Sequence, residues 1–238
     1  MKKYTLQIEQ TIATLIVEEQ YLSSAREVIC RLREELKAYI SFDPLFELSL
    51  TPRKVSADAP EIVKRMAAAA KKAQVGPMAA VAGAIASLTV EALREQGAST
   101  AIFDNGGDIA LVSEEPVTIG IYHGLRNSND LALKIPPTEK PLGVCTSSGT
   151  IGHSVSLGKA DAAVVISNDA SLADAAATAL GNMIQTTDET ELVLAMETIL
   201  RRCNVEGLLV FIKNSVGFCG KVPQLILTPS TLREITKA

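Results

Sequence analysis

The hydrophobic and polar positions change period several times along the chain, and each period predicts an element. Residues 5–17 alternate and contain Ile and Val, which predicts one or two strands. Residues 24–40 then switch to a 3.6-residue period that puts Ala25, Val28, Ile29, Leu32, Leu36 and Ile40 on one helical face. Phe42-Asp43-Pro44 should end this helix, because the residue before a proline is pushed out of the helical region. Residues 49–60, with Pro52 and Pro60, read as a loop leading into a helix over 61–72. Gly76-Pro77 opens a further helix with proline in its first turn, and Gly97 is placed to stop it.

Strands are predicted at 100–103, 109–112 and 117–122, joined by Asp104-Asn105-Gly106-Gly107 and by Ser113-Glu114-Glu115-Pro116. Connections this short favour an antiparallel meander. A strand at 162–167, helices at 171–184 and 188–203, and strands at 208–213 and 224–227 complete the pattern. Strand runs mixed with helix pairs point to an α+β fold, with mixed or antiparallel sheets packed against helices, rather than a regular βαβ array. A chain of 238 residues is expected to fold as a single domain, 1–238. Two helices, over 78–87 and 172–181, consist almost entirely of small residues, so another backbone or a ligand can come close to them.

Composition narrows the function classes. Apolar residues make up 47% of the chain against 21% charged, which is globular and far from disorder. A net charge of −4 without any Lys/Arg run leaves no electrostatic footprint for nucleic acid. The most apolar stretch, Val75 to Val90, is rich in Ala and Gly and falls short of spanning a bilayer, so it reads as a buried helix and no membrane partner is expected. Gln7, Glu9 and Gln10 interrupt the first apolar run, which excludes a signal-peptide core. Cys30, Cys145, Cys203 and Cys219 are scattered and form no C-x-x-C pair, so free thiols in a reducing, cytoplasmic setting are expected.

Three segments carry candidate chemistry. In Asp104-Asn105-Gly106-Gly107-Asp108 the glycines allow positive φ and leave backbone amides open to an anion, although a plain β-turn explains the same residues. Asp108 stands apart, since a second acid adds nothing to a turn. Cys145-Thr146-Ser147-Ser148-Gly149-Thr150-Ile151-Gly152-His153 gathers hydroxyls and glycines able to cradle a phosphate or a polar ring. Its Cys and His also invite a nucleophile–base reading, with a polar loop histidine as the plainer alternative for His153 and for His123. In Asp174-Ala-Ala-Ala-Thr178 a helix places carboxylate and hydroxyl at i and i+4 on one face, both oxygen ligands suited to Mg²⁺. The competing reading takes Ser171-Leu-Ala-Asp174 as a capping box.

In this order the segments resemble the ApbE family, the FAD:protein FMN transferases. That family carries Asn-Gly-Gly-Gly-Asp-Ile, Ala-Thr-Ser-Gly and Ala-Asp-Ala-Leu-Ala-Thr-Ala; here stand Asn105-Gly-Gly-Asp-Ile109, Thr146-Ser-Ser-Gly149 and Ala173-Asp-Ala-Ala-Ala-Thr-Ala179. Val75-Gly-Pro-Met-Ala79 sits where the family has Leu-Gly-Gly-Ile-Ala. The resemblance covers residues 75–182 and implies an ApbE-like fold with Mg²⁺ held by Asp174, Thr178 and the carbonyl of Ala79, beside the diphosphate of a flavin. Two departures stand against flavin transfer itself. The family's His-Ile-Ile-Asp-Pro has no counterpart, His153-Ser-Val-Ser lacking both acid and proline, and the glycine run is one residue short with Ala80 in place of a lysine. The likeness is greater to short, functionally uncharacterised bacterial and archaeal ApbE-related proteins that share the Thr-Ser-Ser-Gly-Thr and His-Ser-x-Ser-x-Gly stretches.

The resulting expectation is a protein that binds a phosphate-bearing or flavin-like small molecule, FAD or another nucleotide, together with Mg²⁺. Asp174, Thr178, Ala79 and Asp108 would organise ion and phosphates. Asn105, Gly106 and Gly107, with Ser147, Ser148, Gly149 and Ser154, would contact the cofactor, and His153 would act as acid or base. Transfer or hydrolysis at a diphosphate stands beside two alternatives: a binding or accessory module without turnover, and a metal-independent enzyme using Cys145 or Ser147 as nucleophile. A homo-oligomer is compatible with all three.

Overall fold

In the computed structural model the described residues are 1–9, 11–122, 130–148, 158–213 and 215–228. The chain opens with a hairpin of β1 (Lys2–Ile8) and β2 (Thr11–Val17), then α1 (Leu22–Phe42), the single turn α2 (Leu45–Leu48) and α3 (Glu61–Ala73). A 3-10 turn (Pro77–Ala80) runs straight into α4 (Val81–Glu95). The strands β3 (Ala101–Asn105), β4 (Asp108–Ser113), β5 (Val117–Gly120), β6 (Asp130–Ile135), β7 (Thr138–Ser147) and β8 (Ala162–Ser167) follow. The chain continues through α5 (Ala170–Met183), α6 (Glu189–Cys203), β9 (Gly207–Ile212), β10 (Ser215–Gly220) and β11 (Gln224–Thr228). Among the described residues all strand pairs are antiparallel. An eight-stranded sheet has the order β1-β2-β3-β4-β7-β8-β9-β10, and a three-stranded sheet has the order β11-β6-β5.

Strand alternation builds two cores, one on each face of the large sheet. Ile109, Leu111, Val144, Val164 and Leu209 face Ile119, Leu133 and Ile135 of the small sheet. Ala110, Val112, Cys145, Ala163 and Val165 face the helices. Strands β8 and β9 are buried at every position, which is why both read as continuous apolar runs instead of alternating. The helix-facing side chains are small where α5 crosses, and the backbones nearly touch. A Cβ on Gly143 would lie 2.4 Å from Ala170 Cα, and one on Gly83 of α4 would lie 2.2 Å from the Ala170 carbonyl oxygen. The small-residue helices α4 and α5 therefore serve each other as close packing surfaces.

The α+β expectation holds, and the structure differs from the sequence reading in four places. β5 leaves the expected meander and pairs with β6 in the small sheet, so β4 is bordered by β7 instead. β6, β7 and β10 were not among the expected strands; Pro141, Gly143 and the Ser/Thr cluster mask the strand character of β7, and two glycines do so in β10. Leu45–Leu48, between the expected helix end at Phe42-Asp43-Pro44 and the loop read over 49–60, forms a helical turn that was not assigned. The apolar segment also continues past Val90, so that Pro77–Glu95 is long and apolar enough by composition to cross a membrane, with 56% of its span buried inside the fold as part of the core.

Candidate functional site

The position of α5 is set by its first turn. Asp169 is the N-cap and accepts the Ser171 amide at 2.9 Å, while Ser87 of α4 donates its hydroxyl to Asp169 at 3.3 Å and accepts the Ala170 amide at 2.9 Å. Arg65 of α3 lies 3.9 Å from Asp169 and holds Glu91 of α4 through two hydrogen bonds of 2.7 and 3.0 Å. Three helices are thus pinned at one point. This corrects the capping-box reading: Asp169 satisfies the helix start, and Asp174 is left one turn inside α5. There Asp174 is buried and accepts the Gly83 amide through Oδ2 at 2.9 Å.

The sheet supplies the opposite wall. Asn105 pairs with Asp108 across a two-residue turn in which Gly106 (φ 72°) and Gly107 (φ 100°) both take positive φ, the geometry that excludes most other residues. Asp104 closes the turn by accepting the Gly107 amide at 2.8 Å, so that amide already has a partner within the protein. Asp108 opens β4 opposite Cys145 of β7, on the strand face that looks toward the helices, and Ser147 continues that face.

Between these walls lies a cavity of about 110 Å³ lined by Met78, Ala79, Val81, Ala82, Asp108, Thr146, Ser147, Asp174 and Thr178. Two carboxylates from different elements share it. Burial pushes the Asp174 carboxyl up to about 7, against the opposing pull of the Gly83 and Ala82 amides. Asp108 is pushed well above the ordinary carboxylate range, first by burial and then by the charge of Asp174. Its Oδ1 is sealed from solvent and has no hydrogen-bond partner among the described residues. A buried, unpartnered carboxylate oxygen beside a second carboxylate costs free energy unless a proton or a cation joins them.

Of the residues singled out in the sequence, the structure brings Ala79, Asp108, Ser147, Asp174 and Thr178 to this cavity. Asn105, Gly106 and Gly107 form the turn behind Asp108 and are not among its lining residues. Ser148 points elsewhere, donating its hydroxyl to the Asp161 carbonyl at 2.7 Å. Gly149, His153 and Ser154, like His123, lie outside the described residues. Cys145 is fully buried, its thiol donates to the Ala170 carbonyl at 3.3 Å, and burial with the nearby Asp108 and Asp174 charges pushes its pKa well up. This removes the cysteine version of the nucleophile reading, because only a thiolate attacks. Of the aromatic side chains nearest these motifs in sequence, Phe103 is fully buried in the helix-side core and closed to a ligand ring, whereas Tyr122 is exposed.

Sequence reasoning missed Gly83, Asp169 and Met78. Gly83 had a legible signal, since glycine inside a helix costs about 1 kcal/mol relative to alanine and so marks a close approach. Asp169 also had one, as an Asp directly before the helical run. Met78 had none. Among the described residues no group of three or more His, Cys, Asp or Glu side chains forms a ready-made metal centre. The oxygen set of Asp108, Asp174, Thr178 and Ser147, with the backbone of Ala79, fits a hard cation that takes its remaining ligands from a phosphate.

A family model described as AbpE bacteria matches residues 2–198. A UPF0280 protein of Methanocella arvoryzae is 48% identical over 231 residues, covering 97% of this chain and 94% of its own length. A UPF0280 protein of Methanococcoides burtonii is 42% identical over 238 residues, covering all of both chains. Among solved structures, the apo flavinyl transferase ApbE of Pseudomonas stutzeri superposes with a TM-score of 0.63 at 13% identity, covering 92% of this chain and 93% of its own. The flavin transferase ApbE of Vibrio cholerae superposes with a TM-score of 0.54 at 15% identity, covering 93% and 96%. At these identities the structures establish a shared fold.

Proposed function

The chain belongs to the AbpE bacteria family, and from that premise we propose that it binds a phosphate-bearing, flavin-like small molecule together with Mg²⁺ at the Asp108–Asp174 cavity, and acts on the diphosphate by transfer or hydrolysis. One observation carries this reading. Two carboxylates, buried Asp174 and half-buried Asp108, face a single cavity, and Asp108 Oδ1 is sealed from solvent with no hydrogen-bond partner among the described residues. Asp174, Thr178 and Ala79 would hold the ion, and Asp108 would complete the negative wall. When bound, the ion would neutralise phosphate charge and polarise a phosphoryl oxygen.

The chain's own residues do the positioning. The Gly83 amide fixes the Asp174 carboxylate, and the absence of a side chain at Gly83 lets α4 come close enough to do so. The buried Ser147 lines the cavity, where its hydroxyl would donate to a phosphate oxygen. About 110 Å³ holds an ion with a phosphate group but not a dinucleotide, whose sites usually exceed roughly 300 Å³, so the organic part extends beyond this cavity. The free thiols fit action in the reducing cytoplasm.

A second reading, a binding module without turnover, is favoured by Ala80, which stands fully buried where the family carries a lysine. A thermal-shift titration with FAD, FMN and ATP, each with and without Mg²⁺, tests binding. The proposal expects a Mg²⁺-dependent rise with a diphosphate-bearing ligand, near 2.7 kcal/mol of stabilisation at about 100 times its Kd. No response to any nucleotide under either condition would refute it. Binding of FAD without its consumption would select the module reading.

A further inference from the structure

Among the described residues, exposed large apolar side chains concentrate at the end of α1 and around α2. Phe42 is 86% exposed, Leu45 56%, Leu48 69% and Leu50 84%. Scattered exposed leucines need no explanation, but four large side chains within nine positions form a patch. The patch is rigidly mounted. Phe46 is fully buried and meets Tyr39 edge-on at 5.1 Å, Tyr39 also touches Phe42 at 6.4 Å, and the adjoining loop is tied back by the Arg53–Asp43 ion pair at 3.3 Å. With Phe46 facing in, Leu45 and Leu48 face out together at i and i+3.

We propose that this patch is the interface of a homodimer, in which α2 and its flanks meet the same surface of a second copy of this chain. The four side chains present on the order of 500 Å² of apolar surface. Twofold self-pairing doubles that to roughly 1,000 Å², the size at which specific interfaces begin. The rim favours a second copy over an anionic lipid surface. Asp43 and Arg53 already pair with each other and Lys37 with Glu9, which leaves exposed Glu47 and Lys54, of opposite sign, to pair across the axis of an isologous contact, whereas a membrane surface selects a basic rim. The edge strand β10, with Val216 and Phe218 partly exposed, is the weaker alternative, because its apolar surface is about half as many large side chains.

The interface would adjoin the candidate site. α2 packs against the 3-10 turn that carries Met78 and Ala79, and a Cβ on Gly76 would lie 1.9 Å from the Ser49 carbonyl oxygen, so the loop after α2 is seated directly on that turn.

Sedimentation velocity on the full chain across a micromolar concentration series tests the proposal, with the variants Leu48→Lys/Leu50→Lys and Phe218→Lys and circular dichroism as a check of fold. The expected result is a dimer whose dissociation constant rises at least about 100-fold in Leu48→Lys/Leu50→Lys and is unchanged in Phe218→Lys. A monomer at every concentration, or a dimer lost in Phe218→Lys but retained in the double variant, would overturn it. Because both substituted leucines are exposed, the double variant keeps its helical signal; should it unfold, Phe42→Ser read by the same measurement replaces it, with the same two outcomes.

Discussion

Replacing Asp174 by Asn removes one negative charge from the cavity while leaving an oxygen for the Gly83 amide, so the substitution isolates electrostatics from hydrogen bonding. In the folded protein burial raises this carboxyl from 3.8 to about 7. Below about pH 4 the acid is protonated in both folded and unfolded chains and costs nothing. Between pH 4 and 7 the unfolded chain releases its proton while the folded chain keeps it, so stability falls as pH rises. Above pH 7 the full cost is present. At 1.36 kcal/mol per unit, a rise of roughly three units sets a ceiling of about 4 kcal/mol, and Asp108 shares in it, since the Asp174 charge helps to raise that group too. Urea denaturation of wild type and Asp174→Asn from pH 4 to 8.5 measures the difference. The variant should gain on the wild type by about 2–4 kcal/mol across this range. A difference that stays constant with pH to within about 1 kcal/mol would refute the placement of Asp174 as a buried, charge-strained acid.

Gly83→Ala forces a methyl group to within 2.2 Å of the Ala170 carbonyl, and urea midpoints should show a loss of about 3 kcal/mol, at the upper end for overpacking because backbone must move. Asp169→Ala removes the cap of α5 together with its links to Ser87 and Arg65, and thermal unfolding should report a loss of about 1–2 kcal/mol. Iodoacetamide followed by peptide mapping should modify exposed Cys30 in the native protein while Cys145 stays unlabelled until urea unfolds the chain.

Helices and most strands were legible because their burial follows a clean period: the face of α1 containing Ala25, Val28, Ile29, Leu32 and Leu36 is the buried one, and β8 matches its expected bounds. β7 was not legible, because Pro141, Gly143 and the hydroxyl run from Thr146 answer to packing against α5 and to the cavity wall rather than to strand propensity. The destination of β5 was also hidden, since a short connection between neighbours in sequence says nothing about a switch between sheets. At the site, residue types and order picked out Asp108, Asp174 and Thr178, whose convergence requires tertiary structure to see. The assignment of Asp174 as a cap failed for a local reason: two acids, Asp169 and Asp174, were available to start α5, and the one that precedes the helix took the role.

The most direct test of the account is a Mn²⁺ titration followed by electron paramagnetic resonance, since Mn²⁺ favours the same oxygen ligands as Mg²⁺. Wild-type protein should remove free Mn²⁺ from solution at one ion per chain when FAD is present and only weakly without it, and Asp174→Asn should abolish the FAD-dependent binding. Undiminished FAD-dependent Mn²⁺ binding by Asp174→Asn would contradict the claim that Asp174 and Asp108 form the cation site.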